Sequence, residues 1–105
     1  MSSIFTKIIN REIPSDIVYE TNDIIVIKDI NPQAKIHLLI IPKKHIETID
    51  HLEETDKSLI ADMFFVAKKV AFDLGVTGGY KLHFNVGKAG GQEVMHLHLH
   101  LLSNI

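Results

Sequence analysis

One hundred and five residues, spanning 1–105, make a single domain with no room for a second independent core. Hydrophobic residues are 46% and charged residues 23%, a soluble globular balance, and the net charge of −2 gives no pull toward nucleic acid or an anionic membrane. No cysteine is present, which excludes disulfides and thiolate metal sites and fits a cytoplasmic location. The N-terminal residues lack a basic stretch followed by an apolar one, so no signal peptide is expected, and no apolar run approaches the ~20 residues that cross a membrane.

A short helix is expected over residues 3–10, capped by Ser2 or Ser3, with Ile4, Phe5, Ile8 and Ile9 at helical spacing. Residues 17–20 and 23–29 read as two strands of a hairpin, because both are rich in β-branched side chains and Thr21-Asn22-Asp23 is a tight polar turn. Asn31-Pro32-Gln33 breaks the second strand, and a third follows over 37–41 and stops at Pro42. Thr55 or Asp56 opens the main helix, which runs to about Leu74. Its apolar face is Leu59, Ile60, Met63, Phe64, Ala67, Val70, Ala71 and Leu74, and Gly75 is placed to end it. Residues 80–86 form a fourth strand, 87–92 a glycine-rich loop, and 94–102 the last strand. Hairpin connections dominate, so the expected class is α+β: a five-stranded antiparallel sheet with one long and one short helix.

Seven histidines is a high count, and three of them sit at alternate positions in the last strand. Side chains alternate faces along a strand. Met95, Leu97, Leu99 and Leu101 therefore share the core face under the long helix, and Val94, His96, His98, His100 and Leu102 share the other. An imidazole ladder of this kind has three readings. It is a solvated polar face, a site holding zinc or iron through His-x-His pairs, or an acid–base and nucleophilic centre. Adjacent imidazoles suppress one another's protonation, so a neutral nucleophile beside a proton donor is expected at neutral pH. That mixture suits cleavage of a phosphorus–nitrogen bond.

The loop Gly87-Lys88-Ala89-Gly90-Gly91-Gln92 leads into the ladder. It is either a flexible turn or a nest of backbone N–H groups for a phosphate, and it has no P-loop frame. His37 and His45 read as turn or cap residues. His51 has no assigned role. His83 shares parity with Lys81 and Asn85 and reads as solvent-facing or interfacial.

The run His96-Leu97-His98-Leu99-His100-Leu101-Leu102 resembles the His-φ-His-φ-His-φ-φ signature of the histidine triad family, where φ is apolar. Phe5-Thr6-Lys7-Ile8-Ile9, Glu12-Ile13-Pro14, Asp29-Ile30-Asn31-Pro32-Gln33-Ala34, Ile40-Ile41-Pro42-Lys43-Lys44-His45-Ile46 and Gly90-Gly91-Gln92 are similar to its Hint branch, in order along nearly the whole chain. The resemblance implies a homodimer whose sheets join into one. It implies binding of a purine nucleoside monophosphate and hydrolysis of its 5′-phosphoramidates, with no cofactor. By position, His98 would be the nucleophile, His100 would contact the phosphate, and His96 and His37 would orient and support the site. Asn85, Gly91, Gln92, Glu93 and Val94 would surround the phosphate. Phe5, Ile8, Ile27, Lys28, Asp29, Ile30 and Leu39 would form the nucleoside pocket, with Asp29 on the ribose hydroxyls.

Two departures from the family pattern stand out. Many relatives bind zinc through a Cys-x-x-Cys pair and two histidines. Here the cysteine positions are Ser3 and Thr6, while His45 and His96 match the histidines, so no structural zinc is expected. Glu93 stands where several relatives have a small hydroxyl residue near the leaving group. Some relatives also carry a longer C-terminal tail, which the resemblance implies is missing from this site.

Overall fold

A computed structural model describes residues 3–105. Five strands form one antiparallel sheet: β1 (Ile17–Glu20), β2 (Ile24–Lys28), β3 (Ile36–Pro42), β4 (Lys81–Phe84) and β5 (Leu99–Ser103), in the spatial order β1-β2-β3-β5-β4. Two helices, α1 (Ile4–Ile9) and α2 (Lys57–Asp73), complete the expected α+β architecture. Ser3 caps α1 by accepting from Thr6 N–H. Ser2, the other expected cap, lies outside the described residues. The β1–β2 turn closes as its chemistry suggests, with the Thr21 hydroxyl accepting from the N–H groups of Asp23 and Ile24. Among the described residues no helix is long and apolar enough to cross a membrane.

Alternation along the strands divides the apolar residues into two clusters. Ile24, Val26, Leu38, Ile40, Leu99 and Leu101 pack with Met63, Ala67, Val70 and Ala71 of α2, and this is the main core. Ile25, Ile27, Leu39 and Ile41 face the other way and are covered by Phe5 and Ile8 of α1. Short α1 therefore shields only part of the second face. The register places Leu39 opposite His100 and His100 opposite His83, so the histidines continue that same face beyond the helix.

Three boundaries differ from expectation. A 3₁₀ turn over Glu54–Asp56 precedes α2, which starts at Lys57. The buried Asp56 carboxylate holds that turn by accepting from Glu53 N–H and Lys44 Nζ. β4 is shorter than 80–86. β5 starts at Leu99 rather than Val94, because the Leu97 N–H leaves the ladder and donates to Ile46 O at 2.6 Å. His96 and His98 thus lie on an irregular segment that feeds the strand, yet Leu97 still enters the α2 core. The exposed ends of the expected α2 face also differ: Phe64 and Leu74 are each about two-fifths exposed, and Phe64 meets Phe84 edge-on at 6.1 Å.

Leu101 is fully buried at the centre of the sheet beneath α2. Leu101→Ala is expected to cost about 2–5 kcal/mol, read as a fall in the urea midpoint at unchanged slope. A loss under ~1 kcal/mol would show that this contact is not central to the core.

Candidate active site

The polarity of each partner fixes the histidine tautomers. Carbonyl oxygens only accept. His96, fully buried, lies with Nε2 2.8 Å from Pro42 O, so Nε2 carries the proton and Nδ1 offers a lone pair. Ser3 Oγ sits 3.0 Å from that Nδ1. His98 Nδ1 lies 2.7 Å from His96 O, so Nδ1 carries its proton and Nε2 is left with a free lone pair. The Phe5 ring meets both imidazoles edge-on, at 5.0 Å from His98 and 5.9 Å from His96.

A second relay runs through His37. Gln33 N–H donates to His37 Nδ1 at 3.1 Å, which puts the His37 proton on Nε2. That Nε2 lies 3.0 Å from His100 Nδ1 and 3.5 Å from Asp29 Oδ2. His100 Nδ1 therefore accepts, and the His100 proton sits on Nε2. Among the described residues, His100 Nε2 is the buried side-chain polar atom with no partner. The His98 and His100 rings are 4.9 Å apart. A neutral lone pair and an unpaired donor thus stand side by side.

His83 is the site residue that the sequence did not single out. Its ring stacks on His100 at 4.6 Å and 8°. Parity grouped it with Lys81 and Asn85 but did not say which face that was; the β4–β5 register decides this by setting His83 opposite His100.

The glycine loop is a folded turn. Gly87 and Gly91 have φ of +70° and +92°, values that disfavour other residues. The N–H groups of Gly90 and Gln92 donate to Gly87 O, that of Gly91 to Lys88 O, and that of Gly87 to the Gln92 side chain. Of the two readings of this loop, a nest of free N–H groups does not form at these four positions, because the turn consumes them. Gln92 is buried and its amide also donates to Glu47 O and Val94 O, so it holds the loop in place. Asn85 reaches Gly91 O at 3.5 Å, and Glu93 is exposed.

The expected nucleoside pocket is brought together in part. Phe5, Ile8, Ile27 and Leu39 form one buried cluster, with Val94 packed against it. Asp29 lies at the end of β2, where its N–H donates to His37 O and its carboxylate accepts from Asn31 N–H. Lys28 is exposed, and Ile30 is 85% exposed, so neither belongs to the apolar cluster.

Ser3, Thr6, His45 and His96 also converge, with Ser3 and Thr6 hydroxyls 3.3 Å apart and the two imidazoles 4.8 Å apart. They do not fit a structural zinc. Two hydroxyls replace thiolates, the His96 Nδ1 that would bind already faces a hydroxyl, and His45 Nε2 donates to Met95 O at 3.0 Å. The expected ladder of His96, His98 and His100 does not converge on one metal, since three of its six ring nitrogens are committed to carbonyls or to His37. A different set, Asp29, His37 and His100, brings ligand atoms within 4.8 Å of one another.

Burial keeps these rings neutral. It pushes the pKa of His83 below the ordinary histidine range, with the charge of Lys81 adding to the effect, and lowers that of His96, partly offset by the bond to Pro42 O. His98 is lowered by burial, partly offset by its bond to His96 O and by the charges of Asp29 and Glu93. His100 is pushed down to about 4 by burial and then by the neighbouring His98, His83 and His37.

Comparisons with known proteins agree with this geometry. Residues 2–105 match the family model described as "Scavenger mRNA decapping enzyme C-term binding". An uncharacterized HIT-like protein of Chlamydia muridarum is 46% identical, over 97% of this chain and 81% of that protein. The crystal structure of a HIT family hydrolase from Legionella pneumophila superposes with a TM-score of 0.96 at 48% identity, covering 99% of this chain and 94% of that one. A histidine triad nucleotide-binding protein from Candida albicans superposes at 0.86 with 36% identity, over 95% and 73% of the two chains. The chain belongs to the histidine triad family.

The depressed histidine pKa values have a consequence for stability. Unfolded histidine titrates near 6.5, whereas these folded rings resist protonation to lower pH. As pH falls below 6.5 the unfolded chain binds more protons, so stability declines toward about pH 4. Lowered carboxylates such as Asp56 add to the loss only below about 4.5. Thermal unfolding is expected to show a melting temperature that falls steadily from pH 7.5 to 5. A melting temperature constant over that interval would contradict the neutral state of the four rings.

Proposed function

We propose that the chain hydrolyses purine nucleoside 5′-phosphoramidates through a nucleotidyl-histidine intermediate. The observation that carries this reading is that the His98 ring, with a free Nε2 lone pair, lies 4.9 Å from the His100 ring, whose buried Nε2–H has no partner. The Nε2 of His98 attacks phosphorus, the P–N bond breaks, and the amine leaves with a proton taken from solvent. Water then cleaves the His98–phosphorus bond and releases the nucleoside monophosphate. His100 Nε2–H serves a phosphoryl oxygen, where charge grows during attack, and His37 holds His100 in the required tautomer. The names of the Legionella hydrolase and the Candida nucleotide-binding protein support the same class of activity.

The apolar cluster of Phe5, Ile8, Ile27 and Leu39 suits a base, and Asp29 beside it suits the ribose hydroxyls. Glu93, exposed and near enough to influence His98 electrostatically, faces the leaving group in this reading and favours cationic amines. A homodimer formed along the edge strand β4 completes it. That strand has one unpaired side, and Phe64 and Val86 leave apolar surface around it.

With a fluorogenic adenosine phosphoramidate, the wild type is expected to turn over and His98→Ala to be slower by roughly a thousandfold or more. Acid-quenched wild type should carry a nucleotidyl group on His98 by mass spectrometry. Equal rates for the two proteins would end this reading. A metal-dependent activity at Asp29, His37 and His100 would instead appear as stoichiometric metal and activity lost to a chelator. Glu93→Ser is expected to narrow the preference for lysyl over neutral-amine substrates, and an unchanged ratio would remove Glu93 from specificity.

A further inference from the structure

The anchoring of His96 leads back to the first turn of α1. Pro42 O accepts from His96 Nε2–H, so His96 Nδ1 needs a donor. Ser3 Oγ is 3.0 Å away, and it accepts from Thr6 N–H at 3.1 Å through one lone pair. Its own hydrogen can go to His96 Nδ1 or to Thr6 Oγ1 at 3.3 Å, and the shorter contact with a nitrogen that lacks any other donor this close favours His96. Thr6 Oγ1, at 3.5 Å from the same nitrogen, stands behind it. The main chain of His96 then supplies the carbonyl that sets the tautomer of His98. Phe5, from the same helical turn, presses edge-on against both rings.

We propose that Ser3 is a positioning residue: its hydroxyl donates to His96 Nδ1, and through His96 it couples the docking of α1 to the placement of the His98 lone pair. The rate consequence rests on the reading of His98 as nucleophile, whereas the hydrogen-bond chain itself is testable without turnover. A merely structural Ser3 would act only as a helix cap. The two roles separate because aspartate is an equally good cap but, when ionised, has no hydrogen to donate.

The test compares the wild type with Ser3→Ala, Ser3→Asp and Ser3→Thr. Three readouts are taken: kcat and KM on the adenosine phosphoramidate, imidazole ¹⁵N spectra, and melting temperature. Ser3→Ala and Ser3→Asp are expected to lose about tenfold in kcat with KM held within about twofold, the rate equivalent of one modest hydrogen bond. Ser3→Thr restores kcat, and Ser3→Asp melts near the wild-type temperature. The His96 Nδ1 resonance should shift in Ser3→Ala and Ser3→Asp, and the His98 signals should shift with it. Wild-type kcat and unmoved His96 and His98 signals in Ser3→Asp would reduce Ser3 to a cap and overturn the proposal. If Ser3→Asp does not fold, the same two readouts on Ser3→Gly decide, since glycine caps nearly as well as serine and has no hydroxyl. If the wild type itself shows no turnover, the functional reading fails, and the imidazole spectra alone uphold or overturn the Ser3–His96 bond.

Discussion

The 2.7 Å hydrogen bond from His98 Nδ1–H to the carbonyl of His96 is the contact on which the chemistry of the site turns. A carbonyl cannot donate, so the bond leaves one tautomer of neutral His98 satisfied. The other tautomer would set two acceptors against each other in a site closed to water, where an unmet polar group costs about 1–3 kcal/mol. The position of that carbonyl depends in turn on the His96 ring, fully buried and held at both nitrogens. Pro42 closes β3 and turns its own carbonyl to His96, so the central strand, the first helix and the segment before β5 meet at one imidazole. Buried networks of this kind have little tolerance for partial satisfaction, since each missing partner leaves the next group unpaired in low dielectric.

Burial and the proposed chemistry pull the same way here. A nucleophilic imidazole has to be neutral, and desolvation penalises its charged form. His98 therefore keeps its lone pair at pH values where an exposed histidine would lose it. His100 shows the cost of the arrangement. Its Nε2–H is out of contact with water and has no acceptor, while His83 stacks on its face and His37 occupies its other nitrogen. A buried donor without an acceptor is a standing penalty that a ligand oxygen would relieve, which makes it a binding determinant.

Much of this was legible in the chain itself. Strand alternation was enough to place Leu97, Leu99 and Leu101 under α2 and the histidines on the opposite face, because period two survives even where the ladder does not. The start of β5 was not legible. Nothing in residues 94–98 announces that the Leu97 N–H pairs with Ile46 O, a contact made across about fifty residues of chain. The glycines at 87, 90 and 91 signalled a turn, but composition does not distinguish N–H groups that bind a phosphate from those the turn consumes. His83 was hidden for a related reason. Parity groups residues of one strand, whereas stacking on His100 depends on register between two strands. Ser3 looked like a helix cap and is one, but its second bond spans 93 positions of sequence.

Helix α1 has only six residues, too few to be stable alone, so it exists through what it docks against. Phe5 and Ile8 provide the apolar part of that docking, and Phe5 simultaneously walls the two buried imidazoles. The polar part is the Ser3–His96 bond, and its chemical character matters. A cation held at His96 Nδ1 would also favour the Nε2–H tautomer, but it would place positive charge one residue pair away from His98. That charge would draw electron density from the neighbouring lone pair. A hydroxyl sets the same tautomer with no charge. The consequence is that the electrostatic environment of the His98 lone pair is shaped by Asp29, Glu93 and the other imidazoles, while the helix contributes shape and direction.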